Sequence, residues 1–202
     1  MKKTTCFPRL FLAALPLLLG ACGSGNTSEG LTGRVTLEGY EGRPVYLETT
    51  ASTPVRVDSA KVTDGRFTLT FTDSVPQVYC LVLSSSPTDA YPIVLPVVSE
   101  KGHINVSMGE LVLTSGTPLN DRLQDFLLEV SRFTDNAMKQ ESPDIQRIKE
   151  DFARLVEEAA LRNADTPVGV YIYRMYADRL DESQRQNILT RGGDEFKRAV
   201  EN

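Results

Sequence analysis

The spacing of apolar residues changes at Gly116, and this change constrains the fold of the chain more than any other feature of its sequence. Before Gly116, short segments alternate apolar and polar side chains, which is typical of β-strands with one buried face. After it, apolar residues recur every three or four positions, as they do on one face of an α-helix. Strands followed by helices predict an α+β fold in which the two kinds of element are segregated.

Residues 31–115 are predicted to form an antiparallel β-sandwich of seven to nine short strands. The predicted strands cover residues 32–37, 44–48, 55–58, 66–72, 78–83, 91–98, 103–107 and 111–114. Asp64 and Gly65 precede the fourth of these strands. They predict a two-residue hairpin turn, because glycine tolerates a positive φ.

Two of these strands carry signals of their position in a sheet. Pro92 and Pro96 have no N–H to donate to a neighbouring strand, so the strand 91–98 is expected at an edge or a bulge. The strand 78–83 is apolar on both of its faces, which predicts a central strand that is buried on both sides. Cys80 in this strand is therefore interpreted as a small buried hydrophobic residue rather than a reactive thiol.

Residues 116–202 are predicted to form three to four helices that pack on or beside the sandwich. Ser or Thr at a helix start can accept a backbone N–H bond, and proline suits the first helical position. Three segments open in this way, at Thr117-Pro118, Ser142-Pro143 and Thr166-Pro167. Asp181 and Gln184 resemble a capping box for a fourth helix, which Gly192 and Gly193 are expected to break before a short frayed end.

The segment 168–176 is rich in tyrosine and apolar residues that spread beyond one helical face. Packing into the helical core accounts for most of this pattern. A partner-docking surface is the second interpretation, because Tyr, Met and Arg are enriched at the centres of protein interfaces. The candidate docking residues are Tyr171, Tyr173, Arg174 and Tyr176.

Residues 1–21 have the order of a secretory signal peptide: basic residues, an apolar run and a small-residue cleavage site. The apolar run, 10–19, is shorter than the roughly 20 residues that a membrane-spanning helix needs. Leu19-Gly20-Ala21-Cys22 resembles the lipobox of bacterial lipoproteins, in which the cysteine thiol carries a diacylglycerol. An ordinary cleaved signal that happens to precede a cysteine is the alternative.

We expect Cys22 to be the lipidation site, with fatty chains such as palmitate anchoring the protein in a membrane. Residues 22–30 then form a flexible tether, because no apolar residue follows Cys22 before Leu31. Eight such residues reach about 15 Å as a coil, so the folded part is expected close to the bilayer. No acidic residue directly follows Cys22, which favours the outer membrane of a Gram-negative cell envelope.

Composition and motifs argue against several kinds of activity. The net charge of −5 disfavours binding to nucleic acid. His103 is the only histidine, which excludes a zinc site with several histidine ligands. A Ser-His-Asp triad would have to use His103, and the sequence contains no nucleophile-elbow motif to accompany it. Since Cys6 leaves with the signal peptide and Cys22 is lipidated, only Cys80 remains, and no internal disulfide or redox pair is expected. No catalytic residue, metal or cofactor is predicted.

Asp58 and Ser59 form the polar pair with the strongest claim to a role. The structural interpretation is that the short polar side chain bonds local backbone where a strand ends. The functional interpretation makes the pair part of a polar ligand site or a cation site. The structural interpretation is favoured, because no spacing of oxygen ligands accompanies the pair.

Several short sequence stretches between about Leu31 and about Leu189 follow one another in the same order as in one known family. They include Gly33-Arg34-Val35, Pro44 to Leu47, Val57 to Phe67, Lys101 to Val106, Leu113 to Asn120 and Asn163 to Gly169. These stretches resemble the N-terminal domain of unknown function of many envelope lipoproteins. In those lipoproteins the domain precedes a thioredoxin-like domain of the peroxiredoxin/TlpA type.

The resemblance implies a stand-alone accessory module, because the chain ends at Asn202, where such relatives continue into the thioredoxin fold. We therefore expect a non-enzymatic, lipid-anchored envelope protein that binds an unknown ligand or another envelope protein. One alternative is an accessory or substrate-binding module for a separate thioredoxin-like oxidoreductase. A hydrolase with an unrecognised site is the weaker alternative.

Replacing Cys22 with Ser is expected to release the protein from membranes, because the variant lacks the thiol that accepts the lipid. Fractionation of cells into membrane and soluble material measures this release. Continued membrane association of the variant would contradict the prediction.

Overall fold

The computed structural model describes residues 30–201. The predicted signal peptide, Cys22 and almost all of the predicted tether lie outside these residues. Eight strands come first: β1 Gly30–Val35, β2 Pro44–Thr49, β3 Arg56–Lys61, β4 Arg66–Leu69, β5 Val78–Leu83, β6 Ile93–Val98, β7 His103–Met108 and β8 Val112–Ser115. The helices follow: α1 Pro118–Met138, α2 Ile145–Arg162, α3 Pro167–Tyr176 and α4 Glu182–Glu201, with a 3-10 turn at Ala177–Arg179. The predicted α+β class is confirmed.

The strands form two four-stranded sheets with a shared apolar core. Sheet I has the order β4-β1-β7-β8, and sheet II has the order β3-β2-β5-β6. Alternate residues of several strands point into the core, as in β7, where Ile104, Val106 and Met108 are buried and the residues between them are exposed. Leu31 of sheet I and Leu81 of sheet II are fully buried in the same cluster. Burial of apolar surface stabilises this arrangement by about 25 cal/mol for each Å² removed from water.

The prediction of a wholly antiparallel sandwich is wrong for one pair of strands. β1 and β7 are parallel, while every other neighbouring pair of the described strands is antiparallel. The reason is the short connection from β6, which ends at Val98 in sheet II, to His103 in sheet I. β7 therefore starts beside the start of β1, where the N–H of Gly30 donates to the carbonyl of Gly102 at 3.2 Å.

The hairpin turn predicted at Asp64 and Gly65 is confirmed. Both residues have positive φ, 51° and 65°, as a two-residue hairpin turn requires. The two strands that it joins belong to different sheets, since β3 lies in sheet II and β4 in sheet I. The strand predicted over 66–72 consequently ends at Leu69, because β4 pairs only with β1 over that length.

α1 covers the open side of the sandwich, where the edge strands β6 and β8 lie. The side-chain oxygen of Asn120 accepts the N–H of Val98 at 2.9 Å, and its amide nitrogen donates to the carbonyl of Val98 at 2.8 Å. One helical turn later, the side-chain oxygen of Gln124 accepts the N–H of Thr114 in β8 at 2.7 Å. Two amide side chains thus pair with backbone groups of one residue on the edge strand of each sheet. The predicted edge position of the proline-containing strand is confirmed by β6.

The helix starts differ from the prediction in their capping groups. The hydroxyls of Thr117 and Thr166 cap no backbone N–H. Instead, the carboxylate of Glu100 accepts the N–H groups of Leu119 and Asn120 at 2.7 and 3.0 Å. A carboxylate is a stronger acceptor than a hydroxyl and suits the positive end of the helix dipole.

The second and fourth helices show the same preference for carboxylate caps. Asp144, not Ser142, caps α2, because the helix starts at Ile145 and the Asp144 side chain accepts two of its N–H groups. The capping box of α4 is present: the Asp181 side chain accepts the N–H of Gln184 at 2.8 Å, and the Gln184 side chain accepts the N–H of Asp181 at 3.1 Å.

The helices form a second apolar core beside the sandwich. Val98 of β6 belongs to this core together with Phe126 of α1, Ile172 of α3 and Ile188 of α4. Gly193 interrupts α4 with a non-helical φ of 84°, as the sequence predicts. The residues after it are packed rather than frayed, because Phe196 is buried against the helical core. No helix within residues 30–201 is long and apolar enough to cross a membrane.

Replacing Asn120 with Ala is expected to lower the free energy of unfolding by about 2–4 kcal/mol, because it leaves the buried N–H and carbonyl of Val98 unpaired. Urea unfolding of the purified protein measures the change. Asn136 is exposed on the same helix, and its replacement with Ala is expected to change stability by less than about 0.5 kcal/mol. Equal effects of the two substitutions would contradict this role for Asn120.

Candidate functional site

A groove with a volume of about 930 Å³ runs between sheet II and the helices. The sandwich forms one wall with the end of β2, the start of β5 and the loop before β5. The end of α2, the start and outer face of α3 and the second half of α4 form the other wall. The lining residues are Thr50, Val75, Pro76, Gln77, Val78, Leu161, Arg162, Ala164, Asp165, Thr166, Pro167, Val170, Tyr171, Arg174, Met175, Arg191, Gly192, Glu195, Phe196 and Ala199.

Hydrogen bonds hold the loop that forms the sandwich wall. Near one end, the hydroxyl of Tyr79 donates to the carboxylate of Asp73 at 3.0 Å. Burial and the Asp73 carboxylate raise the pKa of Tyr79 to about 12, so the hydroxyl keeps the proton that it donates. At the other end, Ser99 donates its N–H to the carbonyl of Gln77 at 2.8 Å. Val75 lies between these anchors and points away from the core, with 66% of its surface exposed.

The opposite wall depends on a close approach between α3 and the turn that follows α2. Gly169 lies against this turn, and a Cβ at this position would collide with the carbonyl oxygen of Asn163. The side chain of Asn163 donates to the carbonyl of Ala159 at 2.9 Å and holds the end of α2. α3 therefore runs over the outer face of sheet II and carries Met175 to the rim of the groove, where it is 50% exposed.

Tyr171 lines the floor of the groove. Burial, with smaller contributions from Cys80 and Tyr176, raises the pKa of Tyr171 well above its usual value, so its hydroxyl is neutral. Burial and the charge of Glu48 also raise the pKa of Cys80, which disfavours the reactive thiolate. Cys80 is only partly buried, because α3 covers the outer face of β5 incompletely.

The predicted docking residues separate into two groups. Tyr171 and Arg174 both line the groove. Tyr173 is only 8% exposed, packs edge-on against the ring of Phe196 with the ring centroids 6.0 Å apart, and is not among the residues that line the groove. Tyr176 is half-buried, with its ring 5.6 Å from that of Phe126. Since α3 is covered on two sides, only a narrow strip of it reaches solvent.

The sequence patterns gave no reason to single out several groove residues, among them Val75, Arg191 and Glu195. Val75 lies in a loop next to a proline, where an apolar residue gives no periodic signal. Arg191 and Glu195 lie on a polar helix face, which resembles any other solvated face in a sequence. Only the packing of α4 beside α3 brings them to the groove.

Asp58 and Ser59 lie on β3, the edge strand of sheet II, and both are exposed. The N–H groups of successive residues in an antiparallel strand point alternately to opposite sides. Val62, just after β3, donates its N–H toward Arg43 at 2.9 Å, so the N–H of Ser59 points to the open edge. The Asp58 carboxylate accepts this N–H at 2.7 Å. The structural interpretation of this pair expected a side chain that bonds nearby backbone at the end of a strand. The Asp58 side chain makes such a bond, but in the middle of β3.

The remaining polar candidates do not assemble into a catalytic arrangement. His103 begins β7 in sheet I, whereas Asp58 lies on the outer edge of sheet II. Within the described part of the chain, no three His, Cys, Asp or Glu side chains are grouped in a way that could hold a metal ion.

A comparison with protein families matches residues 30–123 to a domain of unknown function, DUF4369. The match spans all eight strands and the first turns of α1, including Asn120. It identifies no enzymatic family. The groove is only partly inside the match, because α2, α3 and α4 follow it. No curated protein matches the chain.

Replacing Asp58 with Ala is expected to promote self-association, because it frees the N–H of Ser59 to pair with a strand of another molecule. Sedimentation velocity at increasing protein concentration measures the increase in mass. Replacing Asp135, which is exposed on α1, with Ala removes the same charge and serves as the control. Similar sedimentation of both variants and the unchanged protein would contradict this protective role.

Proposed function

We propose that the chain is a lipid-anchored protein of the bacterial cell envelope that binds another protein in the groove and catalyses no reaction. The observation that carries the proposal is the groove itself, which is rimmed by the exposed side chains of Val75 and Met175. A concave site with apolar, tyrosine and arginine side chains has the composition found at the centres of protein interfaces.

The position of the amino-terminal end of β1 supports a membrane-proximal role for the groove. The N–H of Gly30 donates to the carbonyl of Gly102, and Ser99, three residues earlier, bonds the groove residue Gln77. The groove and the start of β1 are therefore at the same end of the sandwich. A lipid on Cys22 with a tether of about 15 Å would hold this end toward the bilayer.

A separate thioredoxin-like envelope protein is one candidate partner, and the sequence resemblance described above is its support. The function would then be that of an accessory or substrate-binding module. A hydrolase gains no support from the structure, because His103 and Asp58 lie in different sheets.

A photo-crosslinking amino acid at position 175 is expected to capture one defined envelope protein in living cells, because Met175 lies at the rim of the groove. The same amino acid at position 138 is the control, since Met138 is 72% exposed at the far end of α1. Mass spectrometry identifies the captured proteins. Identical, heterogeneous products from both positions would contradict binding in the groove.

A further inference from the structure

We infer that the groove accepts a peptide segment in which acidic residues lie next to an apolar residue. The inference rests on the proposed function and adds the chemistry of the partner. Two features of the groove support this chemistry: the charges that have no ion-pair partner, and the positions of the apolar side chains.

Two groove charges are neutralised by partners on α1. Arg162 donates two hydrogen bonds to the carboxylate of Glu129, at 2.9 and 2.7 Å. Asp165 forms an ion pair with Arg122 at 3.5 Å. These two pairs leave no net charge for an occupant of the groove.

The other groove charges leave a positive surplus. Arg174 donates to the carbonyls of Ala199 and Val200 at 2.7 and 3.4 Å, and neither acceptor carries a formal charge. The side chain of Arg191 is exposed and has no hydrogen bond or ion pair within residues 30–201. Glu195 is the groove's single remaining carboxylate among the described residues. A positive groove in a chain whose net charge is −5 favours an anionic occupant.

The groove carries apolar side chains on the sandwich loop and α3, and positive charges on α3 and α4. Val75 on the sandwich loop and Met175 on α3 present apolar side chains, whereas Arg191 lies on α4. Tyr171 on the floor has a hydroxyl with no hydrogen-bond partner among the described residues, so it is available to a peptide backbone. An occupant therefore needs an apolar side chain toward Val75 and Met175 and a carboxylate toward Arg191.

The concave shape favours a peptide over a lipid surface. A bilayer touches residues that protrude, while the arginines and Tyr171 line a recess between the sandwich and the helices. A volume of about 930 Å³ is within the size range of sites that enclose a ligand.

Selection from a random peptide display library on the full-length protein tests this inference. Enriched peptides are expected to carry Asp or Glu beside an aliphatic or aromatic residue. Their affinity is expected to fall at least tenfold for Arg191→Glu and for Met175→Asp, and to fall with added salt. The matched control is Lys197→Glu, which makes the same charge change at an exposed residue of α4 outside the groove. Thermal unfolding checks that each variant is folded.

The outcomes separate this inference from the proposed function. Neutral or basic peptides that lose affinity for Met175→Asp but not for Arg191→Glu would overturn the acidic occupant and leave a peptide-binding groove. No enrichment, or binding that neither variant weakens, would overturn both. Binding to vesicles of phosphatidylglycerol that Arg191→Glu abolishes, without peptide enrichment, would assign the charge to a lipid surface and overturn the inference.

Discussion

The contact between α1 and the two edge strands is the interaction on which the remaining structure depends. Asn120 and Gln124 are one turn apart, so their amides point to the same side of the helix and meet β6 and β8 together. Because α1 buries these edges, their backbone groups would be costly to leave unpaired, and the two amides pair with the groups of Val98 and Thr114. The same contact sets where the chain leaves the sandwich. α1 also contributes Phe126 to the helical core that holds Ile172 of α3 and Ile188 of α4, the helices beside the groove.

The sandwich and the helices each supply one wall of the candidate site. The sandwich, which contains the match to the domain of unknown function, supplies the loop with Val75 and the start of β5. The helices beyond the match supply Tyr171, Arg174 and Arg191. Chains that share only the sandwich would therefore lack all of the charged side chains that line the groove. Any specificity that this groove has for a partner depends mainly on the helices.

The two sides of the sandwich protect their edge strands in different ways. Side-chain amides of a helix pair with β6 and β8, whereas β3 relies on the carboxylate of Asp58 within its own strand. A charge at an open edge disfavours pairing with other molecules, because pairing would desolvate it. This gives Asp58 a structural reason to be acidic that requires no ligand.

The sequence by itself determined the order of strands and helices, the hairpin turn at Asp64 and Gly65, the edge position of the proline-containing strand and the break at Gly193. Each of these depends on local properties: the period of apolar residues, the φ freedom of glycine or the missing N–H of proline. Only the tertiary structure decided that β1 and β7 are parallel, that Glu100 caps α1, that Tyr173 is buried and that Arg191 reaches the groove. These features join residues far apart in the chain, and which distant elements pack together depends on the burial of the whole core rather than on any local pattern.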